Sequence, residues 1–326
     1  MKSSGALDVA VIGLSCVDLA ADASSCRWNM MNPVGNMRIS GGGIGNALLA
    51  LSGLGLRIGA ATRIGVDFYG DYLLRLWDGL GVDCAAVTRD PRLPTGLAFL
   101  VNHGTERTPF FSAGANRAFC REDVPASMCT DSGCVLIFFA GALPSFDGDG
   151  MRDFVATCHG AGTPVILDVS DSTAGDYTAL ESYLPFVNLV VNSEEGYRLT
   201  GKRSSVEVVR SLAEMAGGAH PEDGFRAATR SDGVSVIAFT KKGVFEADVI
   251  SPFYGRPIRT SVGAGDAFRA GLASYLCAHR QTRQEGNLDL RAACLYACAV
   301  SYLYLARTTD TRPPFSAADV RALLNR

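Results

Sequence analysis

The sequence predicts an α/β fold with a mostly parallel central sheet, and two features of its pattern lead to this prediction. Short apolar runs rich in β-branched residues stop at Gly, Asp or Asn, and they lie at 7–13, 57–62, 135–140, 164–168, 189–192 and 234–240. Continuous apolar strands of this kind are typical of a parallel sheet that is covered on both faces. Helical patterns lie between the runs, and this alternation indicates right-handed βα crossovers.

Three helices are indicated by apolar spacing or length. Apolar residues recur at helical intervals from Ala47 to Leu54 and from Phe268 to Leu276. The longest apolar stretch, residues 292–306, contains Ser301. It is shorter than the roughly 20 residues that a membrane span needs, so it predicts a core helix.

Two segments depart from the alternation of strands and helices. Residues 15–39 and 93–114 are polar and turn-rich, and the second predicts a hairpin around residues 102–105. These strands form either a small lid over the edge of the sheet or ordinary surface meanders. Because no Pro- or Ser-rich linker and no internal repeat interrupts the chain, residues 1–326 are interpreted as one domain, with a lid of about 15–39 and 93–114.

The composition excludes several classes of protein. The 326 residues are 48% hydrophobic and 19% charged, a balance that excludes an intrinsically disordered chain. The net charge is −3, so the basic excess of a dedicated nucleic-acid binder is absent. Ten irregularly spaced cysteines predict reduced thiols in the cytoplasm, with Cys294 and Cys298 as core residues and not zinc ligands. Residues 1–8 contain no apolar core, so no secretory signal is expected.

The sharpest chemical motif is the run Gly263, Ala264, Gly265 and Asp266, which opens a predicted helix. The first N–H groups of a helix have no internal partner, and the helix dipole places positive charge there, so small residues create an anion site from the main chain. A carboxylate beside bound phosphate suits phosphoryl transfer, because it orients and deprotonates the attacking hydroxyl. The alternative is an ordinary N-cap, since Asp and Gly are both common at helix starts.

A second glycine cluster, residues 41–45, precedes Asn46 and opens another predicted helix. A dinucleotide-binding fingerprint needs an acid at the end of the next strand, where this chain has Arg63, so an NAD-dependent oxidoreductase rests on the glycines alone. Glycines before Asn46 suit a polyol that approaches the backbone, with the amide as donor and acceptor. Asp18 is either an acceptor for two hydroxyls or a solvated turn residue.

In this order, the motifs resemble the PfkB (ribokinase-like) family of carbohydrate and nucleoside kinases over almost the whole chain. Residues 11–18 are similar to the family's opening strand and substrate Asp, 41–46 to its N-terminal signature, 65–70 to its G-x-D-x-x-G, 104–107 and 114–116 to the return of its lid, 192–195 to its N-x-x-E motif, and 263–266 to its C-terminal signature.

The resemblance implies a three-layer α/β/α fold with a β lid, and ATP-dependent transfer of a γ-phosphoryl group to a hydroxyl. Carried over by position, it assigns Asp266 as general base, Gly263, Ala264 and Gly265 as the amide cradle, Asp18, Gly42, Gly43, Asn46 and Asn116 to the substrate, Asn192, Thr240, Gly243 and Gly265 to the nucleotide, and Glu195 to Mg²⁺ through water. Mg²⁺ keeps most of its waters, so few protein ligands are needed.

Four stretches depart from the family pattern. Thr260 and Ser261 replace the usual Asp-Thr, which puts activation by a monovalent cation in doubt. The nucleotide loop T-x-G-x-x-G is matched to residues 238–243, with Thr240 where a Gly is expected. Residues 168–172 lack the Asn and Arg of the D-x-N-x-R stretch of fructokinase-like relatives, and Cys298 replaces an adenine-contacting Asn of some relatives.

These observations favour an active sugar kinase and leave alternatives open. A nucleoside acceptor predicts an aromatic shelf, for which Phe99, Phe110, Phe111 and Phe139 are candidates, and a phosphosugar acceptor predicts a role for Arg107 or Arg117. A sugar-binding protein with weak or lost kinase activity is the other alternative, motivated by the nucleotide loop. We expect neither a nucleic acid nor a membrane as partner, and the resemblance leaves open a homodimer through the lid.

Overall fold

The computed structural model describes residues 6–23, 27, 29–103, 106–169 and 179–325. The strands are β1 (Leu7–Gly13), β2 (Ser15–Asp22), β3 (Gly35–Gly43), β4 (Ile58–Gly65), β5 (Asp83–Asp90), β6 (Gly96–His103), β7 (Glu106–Ser112), β8 (Ser132–Ala140), β9 (Val165–Val169), β10 (Asn188–Asn192), β11 (Phe225–Arg230), β12 (Gly233–Thr240) and β13 (Gly243–Ile250).

The helices alternate with these strands. They are α1 (Ile44–Ser52), α2 (Phe68–Gly79), α3 (Ser127–Thr130), α4 (Asp149–Gly160), α5 (Leu180–Tyr183), α6 (Ser193–Thr200), α7 (Ser205–Glu214), α8 (Ala264–Ala278), α9 (Arg280–Gln284), α10 (Leu290–Leu305) and α11 (Ala317–Leu324), with short 3₁₀ turns at Gly114–Ala118, Arg121–Asp123, Leu184–Phe186 and Met215–Gly218.

Nine strands form the central sheet, in the order β13-β12-β11-β10-β9-β8-β1-β4-β5. The neighbouring pairs from β11 to β5 are parallel, whereas β12 runs antiparallel to both β11 and β13. The predicted α/β class with a mostly parallel sheet is confirmed, and each of the six predicted runs lies in a strand of this sheet. The apolar run of β12 does not indicate its antiparallel direction, and this direction determines which end of β12 lies near the site described below.

The two faces of the central sheet carry separate apolar cores, which gives three layers. One core contains buried side chains of α1, α2, α8 and α10, including Trp77 and Tyr304. The other contains those of α3, α4, α5 and α7, including Met151 and Phe154. The stretch predicted as a core helix is α10, and Cys294 and Cys298 are buried on it. Within the described ranges, no helix has the length and apolar content to cross a bilayer.

The segments that depart from the βα alternation form a second sheet of four strands, in the order β3-β2-β6-β7. Strands β2 and β6 pair in parallel, and the outer strands pair antiparallel to them. We call this sheet the lid. It reaches Gly43, beyond the predicted end of its first segment, because the glycines at 41–43 belong to β3 and pair with β2. The predicted hairpin turn falls partly outside the described residues, at 104–105.

Candidate active site

A cleft of about 1430 Å³ lies between the lid and the carboxyl ends of the central strands. One wall is formed by residues at or beyond the ends of β1, β8, β9, β10 and β11 together with the start of α8. The other wall comes from the lid and contains Asp18, Asp22, Arg38 and Asn102. Carboxyl ends of parallel strands are the usual position of ligand sites in open α/β sheets. The cleft is therefore the candidate active site.

The loop into α8 presents backbone amides to this cleft. Gly263 caps the helix in the left-handed conformation, with φ of 80°. Helical hydrogen bonding begins with Ala267 N, which donates to Gly263 O at 2.9 Å, so the amides of Ala264, Gly265 and Asp266 precede it. The three residues of the predicted cradle and Asp266 all line the cleft. The arrangement can hold an anion through main-chain N–H groups and the helix dipole.

Asp266 lies in the first turn of α8, and its carboxylate is held by an amide from another helix. Nδ2 of Asn46 on α1 donates to its Oδ2 at 3.0 Å. Burial raises the pKa of Asp266 to about 6, and the charge of Asp168 adds to the rise, while Arg269 and the Asn46 hydrogen bond oppose it. A carboxylate with this pKa is a stronger base than an exposed one and is still mostly ionised at neutral pH.

A buried ion pair lies under the amide cradle. Arg269, one turn after Asp266, contacts the carboxylate of Asp168 at the end of β9, and both residues are at most 5% exposed. Its Nη2 also donates to the carbonyl of Val190 on β10 at 2.8 Å. A Cβ at Gly265 would lie 2.7 Å from Nη1 of Arg269, so the glycine leaves room for the guanidinium beside the cradle. The positive charge of Arg269 therefore lies next to the candidate anion site.

Asn192 and Glu195 form a capping box at the start of α6. Oδ1 of Asn192 accepts from the amides of Glu194 and Glu195, and the Glu195 carboxylate accepts from Asn192 N at 3.1 Å. Asn192 and Glu195 both line the cleft. Burial raises the pKa of Glu195 to about 7, and the charges of Asp168 and Asp266 contribute to the rise. A nearby cation would stabilise the ionised form of a carboxylate in this environment.

Asp18 extends into the cleft from β2, and β3 is built around it. A Cβ on Gly42 would lie 2.0 Å from Oδ1 of Asp18, so the side chain occupies the space that any larger residue at 42 would need. Cys16 donates from its thiol to the same oxygen at 3.3 Å. Gly43 has φ of 60° and turns the chain from β3 into α1, which brings Asn46 to the cleft. The structure thus brings Asp18, Gly43 and Asn46 together with Asp266.

The structure does not bring Asn116 to the cleft, which corrects its assignment to the substrate. Asn116 is completely buried. Its Oδ1 accepts from Ser15 N, and its Nδ2 donates to the carbonyls of Ser15 and Ala113. The amide is therefore committed to holding the first residue of β2 against the 3₁₀ turn that follows β7.

Thr240 and Gly243 also lie away from the cleft, and their assignment to the nucleotide is corrected. They flank the turn between β12 and β13, where the Thr240 hydroxyl donates to Gly243 O at 2.9 Å. Because β12 runs antiparallel to β11, this turn lies at the amino end of the central strands, roughly 20 Å along the strand from the cleft.

The turn that lines the cleft is the one before β12, at Thr229, Arg230 and Ser231. Arg230 is held there by Asp232 and Asp248. Its neighbours Thr229 and Ser231 offer small polar side chains at the end of β11, beside Asn192 on β10. The signal that identifies it is the Thr-x-Ser spacing of residues 229–231, which becomes informative only once the direction of β12 is known.

Within the described ranges, no group of three or more His, Cys, Asp or Glu side chains is placed to hold a metal ion by itself. The carboxylates of the cleft are spread over its walls, with Glu195 on α6 and Asp266 on α8. Such a donor set fits Mg²⁺ bound mainly by waters and phosphate oxygens, with one or two carboxylates in contact or through water.

The model of the pfkB family carbohydrate kinases matches residues 6–315 of this chain. Solved structures with a similar fold include an Arabidopsis thaliana ribokinase complexed with ribose and ATP, with 21% identity, a TM-score of 0.76, and coverage of 98% of this chain and 99% of that one. A Xylella fastidiosa fructokinase with bound ATP has 18% identity, a TM-score of 0.77 and 98% coverage of both chains.

A putative ribokinase II from E. coli in complex with ATP and Mg²⁺ has 18% identity and a TM-score of 0.73, over 98% of this chain and 99% of that one. At these identities the likeness shows the fold, and the family rests on the match to the family model. No curated protein sequence matches the chain.

Proposed function

The chain belongs to the PfkB family of carbohydrate kinases, and on this premise we propose that it transfers the γ-phosphoryl group of MgATP to a hydroxyl of a small carbohydrate. Membership makes it a phosphotransferase that acts on sugar hydroxyls. The observation that carries the finer proposal is the position of the Asp266 carboxylate. It lies in the first turn of α8, beside free backbone amides, in the same cleft as Asp18.

Asp266 is the general base in this proposal. The acceptor oxygen attacks the γ-phosphorus, its proton passes to the Asp266 carboxylate, and the bond between phosphorus and the bridging oxygen of the leaving ADP breaks. A pKa of about 6 leaves Asp266 ionised at neutral pH and ready to accept that proton. Asn46 holds the carboxylate in place through its Nδ2 donor.

The amide cradle of Gly263, Ala264 and Gly265 stabilises the transferring group. Negative charge on the equatorial phosphoryl oxygens is matched by N–H groups that need no rearrangement during the reaction. The Arg269 guanidinium, paired with Asp168, lies beneath the cradle. Mg²⁺, when bound, would supply further charge neutralisation on the phosphates, and we assign the Glu195 carboxylate to hold it through water.

The remaining walls of the cleft divide into an acceptor half and a nucleotide half. Asp18 and Asn46 offer acceptors and a donor to neighbouring hydroxyls, which is how polyols are recognised. Asn192 and the turn from Thr229 to Ser231 are at the other end, and we assign the nucleotide to them. A location in the cytoplasm, where MgATP is available, fits the free thiols of the described cysteines.

The nucleoside alternative is favoured by one observation. Phe111 on β7 and Phe139 at the end of β8 both line the cleft, and Phe111 is 50% exposed. A ring at the lid can support a nucleobase as well as a sugar face. Nucleosides therefore belong in the acceptor screen.

A homodimer through the lid is a further proposal. Strands β3 and β7 are the edges of the lid, and unpaired edges are sites for strand pairing with another chain. Met37, Ile39 and Phe110 are exposed on these strands. Light scattering after gel filtration should give twice the chain mass, and Met37→Lys or Ile39→Lys should return it to the chain mass. A monomer mass for the wild type would refute the dimer.

The test of the proposed function is a phosphoryl-acceptor screen of pentoses, hexoses, sugar acids, sugar phosphates and nucleosides with MgATP. One acceptor should give ADP formation far above the rate without acceptor, and Asp266→Asn should abolish most of it while acceptor binding remains. Acceptor binding by calorimetry without turnover of any acceptor would instead identify a binding protein of this fold. Full activity of Asp266→Asn on the true acceptor would remove Asp266 as the base.

A further inference from the structure

Tyr304 on α10 is connected to the candidate base by a chain of hydrogen bonds. Its hydroxyl donates to Oδ1 of Asn46 at 2.9 Å, and Nδ2 of Asn46 donates to Oδ2 of Asp266 at 3.0 Å. The three side chains come from three different helices, and 258 residues separate Tyr304 from Asn46 in the sequence. No motif of the sequence includes this tyrosine.

We propose that Tyr304 is a positioning residue for phosphoryl transfer, whose hydroxyl fixes the Asn46 amide so that its NH₂ group faces Asp266. The inference rests on the proposed function, because it takes Asp266 as the base. It adds a residue that touches neither substrate nor phosphate and whose hydroxyl acts through Asn46.

The polarity of the chain follows from the chemistry of its two ends. An ionised carboxylate only accepts hydrogen bonds, so Asp266 requires the NH₂ side of the amide. The carbonyl oxygen of Asn46 then faces Tyr304 and needs a donor. Burial raises the pKa of the Tyr304 phenol well above its usual range, so the phenol keeps its proton and supplies that donor. A flipped amide would direct Oδ1 at the carboxylate, which is repulsive unless Asp266 is protonated.

The ring of Tyr304 is held in place by its neighbours. Tyr304 is completely buried, and a Cβ at Gly263 would lie 2.7 Å from its Cε1 and 3.1 Å from its hydroxyl oxygen. The Arg307 guanidinium lies 3.7 Å from the ring centroid, and Arg307 is itself paired with Asp310. The hydroxyl therefore has little freedom to leave Asn46, and the same ring supports the first glycine of the amide cradle.

Asp266 is sensitive to the loss of one donor because only two contributions oppose the rise of its pKa. Asp168 and Asp18 favour its protonated form, whereas Arg269 and the Asn46 hydrogen bond favour the carboxylate. On the Tyr304 side, the charged groups are Arg307 and Asp310, which oppose each other. Without the phenol, the Asn46 amide can rotate, and Asp266 loses one of the two contributions that keep it ionised.

The experiment compares Tyr304→Phe with wild type in the full chain, by kcat and KM as functions of pH with MgATP and the best acceptor of the screen. The midpoint of the acid limb of kcat should rise by about 0.5–1 pH unit, which corresponds to part of one charge-assisted hydrogen bond. At pH 6 this gives a loss of roughly two- to six-fold in kcat, which largely disappears at pH 8, with KM for ATP unchanged.

Tyr296→Phe is the matched control, because Tyr296 lies on the same helix and packs against Tyr275, at 5.8 Å between ring centroids. Its profile should equal that of the wild type. Asn46→Ala provides the second variant: it should raise the midpoint by itself, and Tyr304→Phe should add nothing in that background. If Tyr304→Phe folds poorly, Asn46→Ala alone still tests the inference, because an unmoved midpoint in that variant would overturn it.

Two results with Tyr304→Phe also overturn the inference. One is a folded Tyr304→Phe variant, with the melting temperature of wild type, whose midpoint does not move. The other is a shift that persists in full in the Asn46→Ala background. Failure of the proposed function is distinct from both, because it appears as a wild-type protein that phosphorylates no acceptor or as an Asp266→Asn variant of full activity.

Discussion

The guanidinium of Arg269 and the carboxylate of Asp168 form a buried ion pair that fastens the start of α8 to the end of β9. Arg269 extends the connection to β10 through the Val190 carbonyl, and Asp168 accepts from the amide of Phe139 at the end of β8. Helix α8 carries the amide cradle and Asp266. Its position over the strand ends is therefore set by a charged contact in the protein interior.

Arg269→Met should destabilise the protein by about 3–5 kcal/mol, because it leaves the Asp168 charge buried without a partner. The measurement is the free energy of unfolding in urea. Arg75→Met, at an exposed position on α2, is the matched control and should change stability by less than about 0.5 kcal/mol. The double variant Arg269→Met, Asp168→Asn should recover part of the loss. Equal free energies of unfolding for Arg269→Met and Arg75→Met would show that the ion pair contributes nothing to stability.

Glu195→Gln should stabilise the ligand-free protein at pH 8 and leave it unchanged at pH 4. The folded-state pKa of Glu195 is raised to about 7, so the folded protein holds this proton more tightly than the unfolded chain does. Stability from this group is therefore lost as pH rises between about 4.5 and 7, and Gln removes that loss. Gln also retains the capping box, since its carbonyl still accepts from Asn192 N.

The prediction for Glu195→Gln is checked by measuring the melting temperatures of wild type and variant across pH 4–8. The matched control is Glu194→Gln in the same turn, where the carboxylate is 76% exposed and paired with Arg198. It should show no gain that grows with pH. A Glu195→Gln variant less stable than wild type at pH 8 would contradict the prediction.

Most strands of the central sheet and the local motifs of the site could be predicted from the sequence. The six apolar runs all lie in the central sheet because both of its faces are covered there. Strand β13 was not predicted because most of its residues are exposed. Strand β11 was not predicted because it contains Arg226, which is 1% exposed and donates to the carbonyls of Val187 and Leu184. An arginine satisfied by backbone oxygens has no signature in a hydropathy pattern.

The tertiary contacts that complete the site could not be predicted from the sequence, for a physical reason. The runs at 192–195 and 263–266 are local, and their helix-start geometry follows from residue type alone. Arg269 with Asp168 and Tyr304 with Asn46 join residues far apart in sequence, so they depend on the packing of whole helices. The turn that we assign to the nucleotide differs from the one matched in the sequence, because the direction of β12 decides which of its ends lies at the cleft.

Ser231→Glu should raise the KM for ATP by at least ten-fold, because it places a negative charge in the turn that we assign to the nucleotide phosphates. Lys242→Glu is the matched control in the turn at the opposite end of β12, where Lys242 bonds Asn287. It should leave the KM for ATP unchanged, although it introduces the same side chain and a larger change in charge. Steady-state kinetics with varied MgATP decide between the two turns. The reverse result, with Lys242→Glu the damaging change, would restore the turn at 240–243 as the nucleotide loop.

Gly42→Ala should impair binding of the acceptor and spare that of ATP. The new Cβ would lie 2.0 Å from Oδ1 of Asp18, and the carboxylate must move away from the position that we assign to the acceptor hydroxyls. Hydrogen bonds to a charged group contribute about 1.5–3 kcal/mol, so the acceptor KM should rise by roughly ten- to hundred-fold. Gly35→Ala, in the same strand with open space around its Cβ position, should behave as wild type. Calorimetric titration with the acceptor and with ATP separates the two effects. Equal losses of affinity for both ligands would point to a distorted lid and not to the displacement of Asp18.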